Sequence, residues 1–96
     1  MNEIVDAAVK ALNAKLEGGG LDGSVKFVIE DEGSVRIDED GARADDGDAD
    51  CVLTADVETF QGMLAGELNP TTAFMSGRLK VDGDMGLAMK LGSILG

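Results

Sequence analysis

Apolar and polar residues follow two different periods along this chain, and the changes of period divide it into helices and strands. A helical period opens the chain, with apolar positions at Ile4, Val5, Ala8, Val9, Leu12 and Leu16. Charged residues occupy the other side of this helix. Asn2 is its predicted N-cap, and the glycines at 18–20 are predicted to end it.

A period of two follows, which predicts β-strands. Val25, Phe27 and Ile29 alternate with Lys26 and Val28, and the turn residues at 31–33 connect this strand to an antiparallel second one. The predicted strands after the first lie at 34–38, 51–55 and 78–82, with a turn at 82–83 and a short fifth strand near 42–44.

Capping residues mark three more helices. Asp56, Asn69 and Asp84 each precede a helical pattern, and Gly66 and Gly77 are placed to end the first two. The order is helix, three strands, two helices, strand, helix. It predicts an α+β fold, in which an antiparallel-rich sheet of four to five strands is covered on one face by about four helices. A length of 96 residues fits a single domain over 1–96.

The last helix, predicted from Met85 to Leu95, carries Lys90 as its single charge. Its apolar positions spread over most of the circumference instead of forming one stripe. Such a helix needs cover on more than one side. We expect core on one side and, on the other, either a partner or an apolar ligand.

Three motifs in the second half of the chain follow one another in a fixed order. They are Gly-x-Leu-Asn-Pro, Ala-Phe-x-x-Gly and Gly-Asp-Met-Gly-Leu-Ala-Met-Lys-Leu, within the segment FQGMLAGELNPTTAFMSGRLKVDGDMGLAMKL, and DADCVLTAD precedes them. In this half the chain resembles the sterol carrier protein 2 family of lipid-binding domains. The resemblance implies a five-stranded sheet, helices over one face and an apolar tunnel between the layers. It also implies a noncovalent, non-enzymatic carrier of fatty acid, acyl-coenzyme A or isoprenoid and sterol-type lipids, which presents them to enzymes or membranes.

The predicted lipid-binding side chains are apolar and come from the first strand and the last three helices. They are Phe27, Ile29, Phe60, Leu64, Phe74, Met75, Met85, Leu87, Ala88, Met89 and Leu91. Flexible, polarizable methionines adapt to lipids of different shape, so specificity should be low. The alternative is that these side chains fill an ordinary core. In that case the chain is an interaction module or an accessory subunit of a lipid-modifying assembly.

The charge narrows the range of partners. The chain has 19 Asp and Glu against 8 Lys and Arg, a net charge of -11. Such a chain repels nucleic acids and anionic membrane surfaces. The excess of Asp over Glu and the scarcity of lysine predict adaptation to a salt-rich cytoplasm. No apolar run approaches the roughly 20 residues of a membrane span, and the first residues do not read as a signal peptide, so we expect a cytoplasmic location without stable membrane insertion.

The residue types give little support to catalysis or to a cofactor. The chain has no His, and its one cysteine, Cys51, faces inward on a predicted strand, where we expect an inert thiol and no metal site. The acidic run at 38–50 does not fit the spacing of a calcium-binding loop and reads as a solvated hairpin tip. Lys90 either meets a lipid carboxylate or a coenzyme A phosphate, or it lies in solvent. Because the chain stops at Gly96, without a longer segment to cover the tunnel, an exposed apolar mouth would favour a homodimer through the last helix.

Overall fold

The computed structural model describes residues 3–17 and 19–95, the side chain of Leu95 excepted. The predicted N-cap Asn2 and the predicted helix end at Gly18 lie outside the described residues. In chain order the elements are α1 (Glu3–Leu16), β1 (Val25–Ile29), β2 (Gly33–Asp38), β3 (Gly41–Ala44), β4 (Cys51–Ala55), α2 (Val57–Leu64), α3 (Pro70–Met75), β5 (Lys80–Gly83) and α4 (Met85–Leu95). The α+β class is confirmed, and the short fifth strand near 42–44 is present as β3.

The five strands form one sheet in the order β3-β2-β1-β4-β5. Three of the pairings are antiparallel, and β1 pairs with β4 in parallel. Phe27 lies opposite Val35 on one side and Leu53 on the other. All three side chains are buried, so alternate residues of the central strands face the helices, as their period of two predicts.

The parallel pairing changes the interpretation of the acidic run. The prediction of a single solvated hairpin tip is wrong, because β3 occupies 41–44 and pairs with β2. Only residues 39 and 40 form the hairpin turn. Residues 45–50 then cross from the edge of the sheet to β4, on the far side of β1. Local sequence gives no signal for such a crossover, since it depends on which strand β4 finds as its neighbour.

Two cations hold this crossover to the sheet. Lys26 Nζ donates to the carbonyl oxygen of Asp46 at 3.2 Å, and Arg36 Nε donates to that of Asp48 at 3.1 Å. Lys26 and Arg36 are register partners that alternate with buried residues, so they project from the sheet face opposite the helices. The crossover therefore runs over that face.

The last strand differs from its predicted bounds. It begins at Lys80 instead of residue 78, because the backbone N–H groups of Arg78 and Leu79 both donate to the carbonyl of Ala73 at the end of α3. The strand also continues through Gly83, which pairs with Cys51. The predicted turn at 82–83 is therefore wrong, and the chain leaves the sheet only at Asp84.

Helix α1 covers the β2 and β3 side of the sheet and buries Val5, Ala8 and Leu12. Its Asn13 side chain binds the edge strand twice at Ala42: Nδ2 donates to the carbonyl oxygen and Oδ1 accepts from the backbone N–H, both at 2.9 Å. A Cβ at Gly41 would lie 2.8 Å from that Oδ1, and the φ of Gly41 is +112°. Glycine is thus required there both by space and by backbone conformation.

Candidate functional site

An apolar cavity of about 500 Å³ lies between helices α3 and α4 and the β1-β4-β5 part of the sheet. Its floor consists of side chains that are almost fully buried: Phe27, Leu53, Met63 and Leu79. Val81, half-buried on β5, continues this wall. Phe27 and Leu53 are register partners on neighbouring strands, so the central sheet forms the bottom of the cavity.

The mouth of the cavity is also apolar. Phe74 on α3 and Met85 and Met89 on α4 line the cavity and are 43%, 47% and 72% exposed. Apolar side chains of this size are usually more deeply buried in a monomeric domain. Here they lie between the cavity and the solvent, where they could contact a bound molecule from two sides.

Helix α4 has two apolar faces with different surroundings. Met85, Ala88, Met89 and Gly92 follow the i, i+3, i+4, i+7 spacing of one helix face and line the cavity. Leu87 and Leu91 lie on another face and are buried in the core. This arrangement accounts for the spread of apolar positions around the helix.

The N-terminus of α3 contributes Asn69, Pro70 and Thr71 to the wall, whose other polar side chain among the described residues is Ser93 on α4. Asn69 is the N-cap, and its Oδ1 accepts from the backbone N–H groups of Thr71 at 2.8 Å and Thr72 at 3.3 Å. A Cβ at Gly92 would lie 3.6 Å from Pro70 Cβ. The two helices therefore nearly touch at this end of the cavity.

Helix α4 is capped in the same way, and Asp56 caps α2, so all three predicted caps are confirmed. Asp84 Oδ1 accepts from Gly86 N at 2.8 Å and from Leu87 N at 3.4 Å. Asp56 Oδ1 accepts from Thr59 N at 2.7 Å. Hydrogen-bond donation from Thr59 to this carboxylate holds the pKa of Asp56 below its usual range.

The free thiol of Cys51 lies buried on β4, next to the start of α4. Burial raises the pKa of this thiol, and the negative charges of Asp84 and Asp82 raise it further. A protonated, buried thiol is a poor nucleophile. Its position agrees with the inward orientation predicted for it.

The structure places five of the predicted lipid-binding residues on the cavity wall: Phe27, Phe74, Met85, Ala88 and Met89. The other six lie elsewhere. Ile29, Phe60, Leu87 and Leu91 are in the core, Leu64 is half-buried against it, and Met75 is 81% exposed. Lys90 also lies outside the wall, with its Nζ 4.0 Å from Asp22 Oδ2.

The remaining wall residues were absent from the set predicted by sequence. They are Leu53, Met63, Asn69, Pro70, Thr71, Leu79, Val81, Gly92 and Ser93. Two sequence signals indicate some of them. Leu79 and Val81 lie on the inner side of the strand predicted at 78–82, and Gly92 follows the cavity face of α4. Asn69, Pro70 and Thr71 read only as a helix start, because their contribution to the wall depends on where α3 meets α4.

A second group of polar residues lies on the far side of the sheet. Arg36 and Arg43 both contact the carboxylate of Asp38, the latter with Nη2 2.9 Å from Oδ2. The hydrogen bond from Arg43, followed by that from the backbone of Asp40, holds the pKa of Asp38 below its ordinary value. Among the described residues, no cluster of acidic and cysteine side chains is arranged to hold a metal ion. Within the same ranges, no helix has the length and hydropathy to cross a bilayer.

The fold and the cavity together define a class: a small α+β domain with an open apolar pocket. A family model described as the SCP-2 sterol transfer family matches residues 2–96. The chain belongs to this family, and the resemblance found in its second half is confirmed.

Relatives with curated names are much longer than this chain. Hydroxysteroid dehydrogenase-like protein 2 of Xenopus laevis is 58% identical over 48 residues, which are 50% of this chain and 12% of that protein. The protein of the same name from Bos taurus is 35% identical over 96 residues, or 98% of this chain and 22% of the relative. Sterol carrier protein 2 of Homo sapiens is 48% identical over 46 residues, which are 48% of this chain and 8% of that protein. The chain thus spans less than a quarter of the length of each of these relatives.

Solved structures share the whole fold. The sterol carrier protein domain 2 of Helicoverpa armigera superposes with a TM-score of 0.76 at 26% identity, covering 96% of this chain and 85% of the other. Sterol carrier protein 2 of Aedes aegypti, solved in complex with palmitate, superposes with a TM-score of 0.79 at 19% identity. The match covers 99% of this chain and 96% of the other. The fold is therefore that of the sterol carrier domains, including the five-stranded sheet.

Proposed function

We propose that this chain is a noncovalent carrier that binds one long-chain lipid in the cavity between α3, α4 and the sheet. The observation that supports this function best is the cavity of about 500 Å³, whose wall is mostly apolar and whose mouth is open at Phe74, Met85 and Met89. Small-molecule sites typically enclose about 300–1,000 Å³. The family and the palmitate complex of the relative from Aedes aegypti add to this support.

The energetics suit reversible transport. Burial of each CH₂ group stabilises the complex by about 0.8 kcal/mol, so ten buried carbons contribute about 8 kcal/mol before ordering of the lipid is subtracted. That sum corresponds to a micromolar dissociation constant at best. A carrier needs affinity in this range, since a lipid held much more tightly would not be released.

Native mass spectrometry of the purified chain tests the proposal. We expect peaks shifted by the mass of a single co-purified lipid, and a rise in melting temperature when lipid is added back to delipidated protein. Ala88→Phe should prevent both effects by filling the cavity. A lipid-free chain whose melting temperature ignores every long-chain amphiphile offered would refute the carrier function.

The exposed apolar side chains at and beside the cavity mouth favour a second candidate, an interaction module that docks on a partner through α4. Met89 is 72% exposed, and Met75 beyond the cavity is 81% exposed. In this proposal the partner is a second copy of the chain or an enzyme of lipid modification. Sedimentation with and without lipid separates the two functions: a dimer that dissociates on lipid binding indicates that one surface serves both, and a monomer in both states favours the carrier alone.

Presentation of the lipid to enzymes or membranes, and a cytoplasmic location, belong to the carrier proposal and need cell-based tests.

A further inference from the structure

We propose that the cavity selects long-chain lipids with an uncharged, hydrogen-bonding headgroup, such as an alcohol or an ester, over lipids with an ionised carboxylate or phosphate. This inference rests on the carrier function proposed above. It concerns the chemical class of the lipid, and it follows from the polar groups that the cavity offers and from the positions of the cations.

The polar side chains on the cavity wall are all neutral. They are Asn69 and Thr71 at the start of α3 and Ser93 on α4. All three are exposed, so they lie toward the solvent side of the apolar wall, where the headgroup of a bound lipid would sit. The two hydroxyl groups can both donate and accept hydrogen bonds, and Asn69 has Nδ2 as a donor, since its Oδ1 already caps the helix. They suit a hydroxyl or ester headgroup, which needs such partners and no counterion.

The helix N-termini beside the cavity do not offer the backbone donors that anions use. Asn69 Oδ1 already accepts from Thr71 N and Thr72 N, and the first residue of α3 is Pro70, which has no N–H. At α4, Asp84 Oδ1 accepts from Gly86 N and Leu87 N, and it adds a negative charge next to Met85. An anionic headgroup would have to displace a cap at either helix.

The cations of the chain lie elsewhere. Within the described residues, no Lys or Arg is part of the cavity wall. Lys26, Arg36 and Arg43 bind carbonyl and carboxylate oxygens on the opposite face of the sheet.

The other cations are placed no better for a headgroup. The Nζ of Lys90 lies 4.0 Å from Asp22 Oδ2. Lys80 is the register partner of Thr54, and both residues lie on the outward side of the sheet. Arg78 interacts with the charge of Asp56, and Lys10 and Lys15 are on α1.

The lack of a counterion among the described residues of the wall and the negative net charge of the chain both disfavour an ionised headgroup. An ionised headgroup at the rim would lose part of its hydration without a counterion, in the field of a chain with net charge -11. A neutral headgroup avoids both penalties. The carboxylic acid form of a fatty acid would bind better than its anion, so the pKa of a bound fatty acid should rise.

Competition between two lipids of the same chain length tests this inference. 1-Dodecanol and dodecanoate should each displace a pyrene-labelled long-chain alcohol, at pH 8 and below the aggregation limit of either lipid. We expect dodecanol to bind about tenfold more tightly than dodecanoate, and the pKa of bound dodecanoic acid to rise by about one unit, which is a tenfold preference for its neutral form. The ratio should shrink as the pH is lowered toward 5, and part of it should persist in 1 M KCl, where the long-range field is screened.

Two lysine variants separate a local effect from a change in net charge. Thr71→Lys places a cation on the cavity wall, and Thr72→Lys places the same charge one residue away, on an exposed position outside the wall. We expect Thr71→Lys, but not Thr72→Lys, to raise the affinity for dodecanoate about tenfold, the same size of effect that a local counterion has on a carboxyl pKa. Ser93→Lys repeats the test on α4, and circular dichroism checks that each variant is folded.

Each outcome decides one point. Equal affinity of the native chain for dodecanol and dodecanoate would overturn the headgroup inference and leave the carrier function intact. Failure of both lipids to bind would overturn the carrier function itself. If Thr71→Lys and Ser93→Lys fold but gain no more dodecanoate affinity than Thr72→Lys, the headgroup does not lie among these residues and the inference is wrong.

Discussion

Phe27 packs against Phe60 in an edge-to-face arrangement, with ring centroids 4.5 Å apart and an angle of 61° between the rings. Phe27 also lines the cavity, whereas Phe60 does not. The core on the α2 side and the cavity floor therefore share one aromatic side chain. Phe60 therefore supports the cavity floor from behind, although it does not itself line the cavity.

The packing of Phe27 on Phe60 predicts that two Phe→Leu substitutions differ in their effect on stability. Phe60→Leu should lower the free energy of unfolding by about 1–2 kcal/mol, because it removes an aromatic pair in a fully buried position. Phe74→Leu should change it by less than about 0.5 kcal/mol, because Phe74 is 43% exposed at the mouth. Urea unfolding followed by circular dichroism measures both, and equal losses would show that the Phe27 and Phe60 rings make no special contribution.

A larger side chain at Ala88 should block the cavity. Ala88 lies on the cavity face of α4, so the ring of Ala88→Phe would enter the space that the proposed function assigns to a lipid. If the proposed carrier function holds, we expect at least a tenfold loss of lipid affinity with a stability change within about 1 kcal/mol, because overpacking is costly only where no void exists. Ala14→Phe, on the exposed side of α1, is the control for added surface hydrophobicity. Unchanged lipid affinity in Ala88→Phe would place the binding site elsewhere.

The ion pairs of Asp38 should make stability depend on acid pH. The pKa of Asp38 is lowered from 3.8 in the folded chain, chiefly by the hydrogen bond from Arg43. The contribution of Asp38 to stability is therefore fully present above its pKa in the unfolded chain. It is lost as the pH falls through the lower pKa of the folded chain. The stability difference between the native chain and Asp38→Asn should be largest above about pH 4 and should shrink at lower pH.

Glu39→Gln is the matched control for that experiment, since it removes the same charge from an exposed neighbour. Chemical unfolding at a series of pH values between 2 and 7 measures all three chains. A difference between native and Asp38→Asn that stays constant across this range would mean that hydrogen-bond geometry, and not ionisation, makes the contribution.

The net charge of -11 predicts a stability that rises with salt. Molar KCl shortens the screening length to about 3 Å and so weakens repulsion among the acidic side chains. A gain of about 1 kcal/mol would raise the melting temperature by about 4–8 °C in a chain of this size. Circular dichroism suits the measurement because the chain contains no Trp or Tyr.

Replacing both Asp46 and Asp48 by Asn should reduce this response to KCl. Both side chains are exposed on the crossover, so their replacement removes charge without opening the core. If the native chain melts at the same temperature in low and in molar KCl, repulsion among its carboxylates does not limit its stability, and adaptation to a salt-rich cytoplasm loses its support.

The sequence by itself determined the features that depend on neighbouring residues. The caps at Asp56, Asn69 and Asp84 were predictable because each side chain bonds to N–H groups two or three residues further along. The inward positions of Phe27 and Leu53 were predictable from the alternation of their strands. The family was recognisable because its motifs lie within one continuous segment.

Only the tertiary structure decided the features that join distant segments. The parallel pairing of β1 with β4 turned the acidic run into a crossover, and no local pattern records which strands become neighbours. The same holds for the cavity. Phe60 and Leu91 are as apolar as Phe74 and Met89, but the first two are buried in the core and the last two line the cavity. Hydrophobicity predicts that a side chain leaves water, whereas the packing of α3 and α4 on the sheet decides whether its neighbour is protein or an open cavity.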